Sequence, residues 1–259
     1  MSSSLQTLIR DLHRRRGRER RGLALAEGVR LVEEAIAAGI SIRGVIASPA
    51  LESTTRGKAL KAALSERGLR IEELTDGELV DLADTEHPQG VVAVIEPKRW
   101  SLSDLRMQAG GAVLALDGVQ DPGNVGTMIR TALGLGALGV VALKGTADLA
   151  NSKVIRGAMG ATFRLPAATA SAEELIAWAR LQRGEIWLAD RSGRSPRQLD
   201  SGSHRPGIVL VVGNEGAGVG QALDAAADHR IAVPLRNAVE SLNVAVAAGI
   251  LLYEVIGAA

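Results

Sequence analysis

Apolar residues follow two spacings along this chain. Leu5, Leu8, Ile9 and Leu12 recur at the three-and-four spacing of an amphipathic helix. Short apolar runs then alternate with helical stretches. Leu23 to Glu27 reads as a strand, Gly28 to Ala38 as a helix ended by Gly39, and Arg43 to Ala47 as a strand. Ser53 to Arg67 reads as a helix, Leu69 to Leu74 as a strand, Asp76 to Leu82 as a short helix and Val91 to Ile95 as a strand. Residues 1–97 therefore form a small α/β domain, with 98–110, from the Pro97-Lys-Arg-Trp-Ser-Leu-Ser stretch onward, as a linker.

From Gly111 the alternation continues over residues 111–259. Strands are predicted at Val113 to Leu116, Val140 to Leu143, Thr162 to Leu165, Ile186 to Ala189, Ile208 to Val212 and Ile231 to Val233. Helices are predicted at Val125 to Leu135, Ser152 to Met159, Ala172 to Arg183 and Gln221 to Ala226, and from Ser241, as N-cap, to about Ile256. Such alternation implies a mostly parallel sheet covered on both faces. The last helix is apolar nearly all round, which predicts burial.

Composition narrows the class. No apolar run reaches the roughly 18 residues of a spanning helix, and Met-Ser-Ser-Ser-Leu-Gln lacks a signal peptide's apolar core. With no cysteine, disulfides and thiolate metal sites are excluded. Without a spanning run, a signal-peptide core or cysteines, the expected location is cytoplasmic. His13, His87, His204 and His229 are too scattered for a ligand set, so no metal is expected. Net charge is only +1, but cations cluster at Arg14, Arg15, Arg16, Arg18, Arg20 and Arg21. That cluster suits RNA phosphates, or is simply a solvated helix end. Aromatics are 2% of the chain, too few for base-stacking platforms, so charge and shape would carry recognition.

Two loops after predicted strands carry chemistry. In Leu116-Asp-Gly-Val-Gln-Asp-Pro-Gly-Asn-Val-Gly, Asn124 is a natural N-cap for the following helix, and Arg130 sits two turns into it. If buried there, Arg130 must pair or reach a ligand; otherwise it points to solvent. In Val211-Val-Gly-Asn-Glu-Gly-Ala-Gly, glycines allow close backbone approach, while Glu215 would repel a phosphate and the P-loop lysine is missing. A neutral or cationic ligand fits better. Gly134-Leu-Gly-Ala-Leu-Gly139 matches a dinucleotide fingerprint literally, but it ends a helix and precedes a strand, the reverse of the required order.

Together, Asp117-Gly-Val-Gln-Asp-Pro-Gly-Asn-Val-Gly with Arg130, Gly213-Asn-Glu-Gly, and Val233-Pro-Leu with Glu240-Ser-Leu-Asn-Val resemble the three motifs of SpoU/TrmH-type RNA ribose 2′-O-methyltransferases. Lys153 to Pro166 is also similar to that family, as are Glu27-Gly-Val-Arg-Leu-Val-Glu-Glu-Ala35 and His87-Pro-Gln-Gly-Val-Val-Ala93 to its N-terminal substrate-binding domain. The resemblance implies an α/β fold with a C-terminal trefoil knot, a homodimer, and S-adenosylmethionine against Gly213, Val233 and Leu242. It implies Asn124, Arg130, Glu215, Ser241 and Asn243 as the active-site set, with methyl transfer to a ribose 2′-hydroxyl of structured RNA. Ribosomal RNA is the expected substrate, with tRNA or a non-catalytic RNA-binding role as alternatives. The chain departs from many relatives at Asn237, where they have glycine, and at Ala245, where they have serine.

Overall fold

The structure is a computed structural model that describes residues 4–199, 207–236 and 240–257. Asn237, His204 and part of the turn between Arg236 and Glu240 lie outside the described residues. In chain order the first elements are α1 (Ser4–Leu12), α2 (Arg15–Arg21), β1 (Ala24–Glu27), α3 (Val29–Ala37), β2 (Ser41–Ala47), α4 (Thr55–Glu66), β3 (Ile71–Glu73), α5 (Asp76–Val80) and β4 (Val91–Glu96). Then come β5 (Ala112–Asp117), α6 (Pro122–Gly134), β6 (Gly139–Ala142), α7 (Ser152–Ala158), β7 (Ala167–Thr169), α8 (Ala172–Leu181), β8 (Glu185–Arg194), β9 (Ile208–Gly213), α9 (Gln221–Ala226), β10 (His229–Ile231) and α10 (Val244–Gly257).

By internal contacts the chain forms two compact units. One takes the chain up to Lys98 together with Ala150–Phe163; the other takes Arg99–Leu149 and the chain from Arg164 on. The first unit holds a four-stranded sheet in the order β1-β4-β2-β3. Its core includes Val32, Val45, Leu64 and Ala93, and also Ile155 and Phe163 from the later segment. Polar contacts fasten that segment too. Buried Glu27 accepts from the backbone N–H of Asp84 and Thr85. The Arg156 guanidinium stands 3.9 Å from Glu27 and 3.7 Å from Asp84, and Ser152 donates to Asp84 at 3.0 Å. A carboxylate this buried needs such donors and a nearby cation.

The second unit is a six-stranded sheet, β10-β8-β9-β5-β6-β7, parallel at every pairing. Its central strands are apolar throughout, as a sheet covered on both faces requires: every residue from Ala112 to Leu116 and from Ile208 to Val212 is buried. Linear order places β9 beside β5, so the loops after Asp117 and Gly213 emerge side by side.

Some expectations are corrected. Thr162 to Leu165 is not a strand: Ala161–Phe163 is a 3-10 turn that buries Phe163, and the strand, β7, begins after Pro166. Residues 231–233 are not all strand, since pairing with β8 ends at Ile231. The Gly134–Gly139 stretch is a helix end and tight turn into β6, with Gly136 in the left-handed region at φ +80. Trp178 and Trp187 are buried packing residues.

The last helix differs as well. Ala245, Ala248, Leu251, Leu252 and Val255 are buried, but Val246, Ile250 and Tyr253 are exposed. These three recur at i, i+4 and i+7, one stripe of a helix. The apolar character on both sides of α10 is thus only half used within the described chain.

Candidate active site

Three loops meet where strands of the second unit end. After β5, Asp121 caps α6: its Oδ1 accepts from Asn124 N–H at 2.7 Å, and Pro122 occupies the first turn, where its missing N–H costs nothing. The sequence marks Asn124 as this cap, and the structure corrects it. Asn124 lies inside the first turn, and its side chain is released for other work. Thr146 fixes the loop from below, donating to Leu116 C=O at 2.7 Å and accepting from Gly118 N–H at 3.1 Å. Gly118 itself has φ +69, a conformation that favours glycine.

After β9, Asn214 organises the second loop. Its Oδ1 accepts from Gly216 and Ala217 N–H, both at 2.9 Å, and its Nδ2 donates to Gly118 C=O at 2.9 Å. Asp117 accepts from Gly220 N–H at 2.7 Å. A side chain at Gly213 would place Cβ 2.4 Å from the Gly218 backbone, so the loop folds back only over a bare glycine.

The third loop leads into α10. Asn243, not Ser241, caps this helix: its Oδ1 accepts from Ala245 N–H at 2.9 Å and Val246 N–H at 3.3 Å. Ser241 and Leu242 therefore lie ahead of the helix, along the cavity wall.

A cavity of about 1220 Å³ joins these parts. Of the expected residues, Gly213, Glu215, Val233, Ser241, Leu242 and Asn243 line it. Asn124 connects to them, donating from Nδ2 to Glu215 Oε1 at 3.0 Å and accepting from Asn243 Nδ2 at 3.1 Å. Arg130 is not among the lining residues; it is exposed on α6. Asp190 and Arg230, which the sequence does not single out, also line the cavity. Arg230 pairs with Asp224 at 2.6 Å and Asp190 at 3.3 Å. Hydrogen bonds from the Ser192 N–H and hydroxyl, with Arg230 adding to them, hold the Asp190 carboxyl below its ordinary range. A signal for Asp190 does exist: it stands just beyond the predicted strand end at Ala189, where parallel sheets put ligands.

The basic N-terminal cluster divides. Arg18 is 6% exposed and donates to the C=O groups of Leu12 (3.0 Å) and His13 (2.9 Å), closing the end of α1. Its expected role on RNA is therefore corrected: the guanidinium is committed to backbone carbonyls that the helix end leaves open. Arg20 and Arg21 pair with Asp11, and Arg15 pairs with Glu19. Arg14 and Arg16 are exposed and form no ion pair among the described residues.

The chemistry of the cavity suits a cationic nucleoside cofactor. Four carboxylates (Asp190, Glu215, Asp224, Glu240) face two guanidiniums (Arg191, Arg230), beside apolar walls from Leu188, Val212, Val233, Leu242 and Leu251. S-adenosylmethionine carries a sulfonium and no phosphate, so it fits this donor set and the missing phosphate lysine. Among the described residues no group of three or more His, Asp or Glu is placed to hold a metal ion, and no helix is long and apolar enough to cross a membrane.

A parallel α/β unit with such a cavity at its strand ends has its ligand site where open parallel sheets place nucleotide- and nucleoside-type ligands. Residues 111–253 match the SpoU rRNA Methylase family, and residues 7–93 match the MRM3-like substrate binding domain. The chain is 35% identical to the 23S rRNA (guanosine(2553)-2′-O)-methyltransferase RlmP of Bacillus subtilis, over 96% of this chain and 94% of that one. It is 32% identical to the 23S rRNA (adenosine(1067)-2′-O)-methyltransferase of Streptomyces laurentii, over 89% and 84%. An AdoMet-bound rRNA methyltransferase from Sinorhizobium meliloti superposes with a TM-score of 0.84 at 32% identity, covering 98% of this chain and 94% of that one. The chain belongs to the SpoU rRNA methylase family. It is an S-adenosylmethionine-dependent RNA ribose 2′-O-methyltransferase.

Proposed function

We propose that the enzyme methylates a ribose 2′-hydroxyl in large-subunit ribosomal RNA, as a cytoplasmic homodimer. The observation that carries this is the meeting of three separate loops on one cavity, with the Asn243–Asn124–Glu215 hydrogen bonds on its polar side. The relatives named above act on guanosine and on adenosine, which accords with chemistry at the sugar rather than the base.

Residues take these roles in the proposal. Gly213, Val233 and Leu242 hold the cofactor, chiefly by backbone and apolar contact, and the bound cofactor supplies an electrophilic methyl group. Arg130 binds and orients the RNA phosphate beside the target ribose, since guanidinium stays protonated and pairs with phosphate in two-point fashion. Ser241, Asn243 and Asn124 position the hydroxyl. The first unit holds RNA, using Arg14 and Arg16 as free phosphate contacts. A second copy of the chain covers the Val246, Ile250 and Tyr253 stripe. The family's deep trefoil knot belongs to the same proposal for the second unit.

Mapping 2′-O-methyl sites in RNA from a deletion strain tests the target. The expected result is loss of one modified position in 23S rRNA, restored by the wild-type gene. Loss confined to tRNA would overturn the choice of substrate.

A further inference from the structure

The carboxylates lining the cavity are not equivalent. Asp190 and Asp224 both face Arg230, and each is held below its ordinary carboxylate range, Asp190 first by Ser192 and Asp224 first by Arg230. Their oxygens are already engaged, Asp224 by Arg230 and Asp190 by Arg230 and Ser192. Glu240 has no hydrogen bond or ion pair among the described residues to aim it. Glu215 differs from all three: one oxygen is anchored on Asn124, and no cation pairs with it among the described residues.

The direction of that anchor is dictated from elsewhere. The N–H groups of Ala245 and Val246 can only donate, so Asn243 must present its oxygen to them. Its amide nitrogen is then the donor to Asn124 Oδ1. Asn124 must in turn present its NH₂ to Glu215. The relay begins at the first turn of α10 and ends with Glu215 Oε1 as the acceptor of the Asn124 amide. The other carboxylate oxygen has no hydrogen bond among the described residues, and the exposed side chain can pass a proton on to water.

We propose that Glu215 is the proton acceptor for the target 2′-hydroxyl, a reading that rests on the cavity being the methyl-transfer site. The hydroxyl oxygen forms a bond to the methyl carbon. The carbon–sulfur bond breaks with its electron pair left on sulfur, turning a sulfonium into a neutral thioether. The hydroxyl proton passes to Glu215, so that at the transfer step one cation and one carboxylate become two neutral groups; release of that proton to solvent restores the carboxylate. Arg130 cannot fill this role while protonated.

The test uses the full-length enzyme with 23S rRNA in single-turnover methyl transfer, alongside calorimetric binding of S-adenosylmethionine. Glu215→Gln preserves an oxygen for Asn124 and removes the basicity. It should slow transfer by about 10²–10⁴-fold, the usual contribution of a general base, with cofactor affinity within about threefold of wild type. Glu215→Ala should be equally slow and should regain activity with added formate, a rescue that a purely structural residue would not show. Transfer by Glu215→Gln at near the wild-type rate would overturn the proposal, as would loss of cofactor binding in that variant or absence of formate rescue. If the wild-type enzyme itself transfers no methyl group to 23S rRNA, the underlying choice of substrate fails as well, and the two failures are told apart.

Discussion

Asn243 donates to Asn124 across 119 residues of sequence, at 3.1 Å. The side chain that caps α10 is therefore also the donor to Asn124. Asn124→Asp should break the relay by setting one carboxylate against another. Losing a donor to a charged acceptor costs about 1.5–3 kcal/mol, or roughly 10- to 150-fold in rate. The expected result is that loss in single-turnover transfer with cofactor affinity little changed by calorimetry. Equal loss of both would show that the relay serves the cofactor pocket instead.

Arg130 stands exposed on α6, apart from the cavity lining. Arg130→Ala should abolish methyl transfer while leaving S-adenosylmethionine binding nearly intact. Arg130→Lys should retain only part of the activity, because a point charge cannot reproduce a two-point phosphate contact. A fall in cofactor affinity would reassign this arginine.

The basic N-terminal helices offer a sharper contrast. Arg18→Ala opens two carbonyls at the end of α1 and should destabilise the protein by about 1.5–3 kcal/mol, read as a lower thermal midpoint. Arg14→Glu with Arg16→Glu should leave that midpoint nearly unchanged. Here RNA affinity should drop, and the salt dependence of binding should flatten by about one unit of slope for each phosphate that is no longer neutralised. An unchanged salt slope would remove these arginines from the RNA surface.

For α10, Ile250→Asp with Tyr253→Asp places charges on the exposed apolar stripe. Sedimentation should show a dimer for wild type and a monomer for the variant. A wild-type monomer would assign the stripe to another partner.

Much of this is legible in the residues alone, and the reasons differ by element. The strands of the second unit announce themselves because a sheet covered on both faces needs unbroken apolar runs. The three loops stand out because polar residues and glycines follow those runs at once. Caps are harder: Asp121, Asn124, Ser241 and Asn243 are all competent, and only geometry separates the one that caps from the one left free. Pro122 is the clue to the first of them, since proline favours the first helical position and so points to Asp121. Nothing in the arginine run distinguishes Arg18 from its neighbours, because its burial depends on how α2 folds back beside α1. The membership of Ala150–Phe163 in the first unit is likewise invisible, since a helix's apolar spacing does not say which core it completes.

That late segment constrains how the protein comes into being. A ribosome releases the chain from its N-terminus, and Ile155 and Phe163 leave long after Lys98. Until then the first sheet lacks two core side chains, and buried Glu27 lacks its nearest guanidinium. The N-terminal unit matures only after the first segment of the second unit, Arg99–Leu149, has already been made, so the two cannot be separated by a single cut in the gene without leaving one of them unfinished.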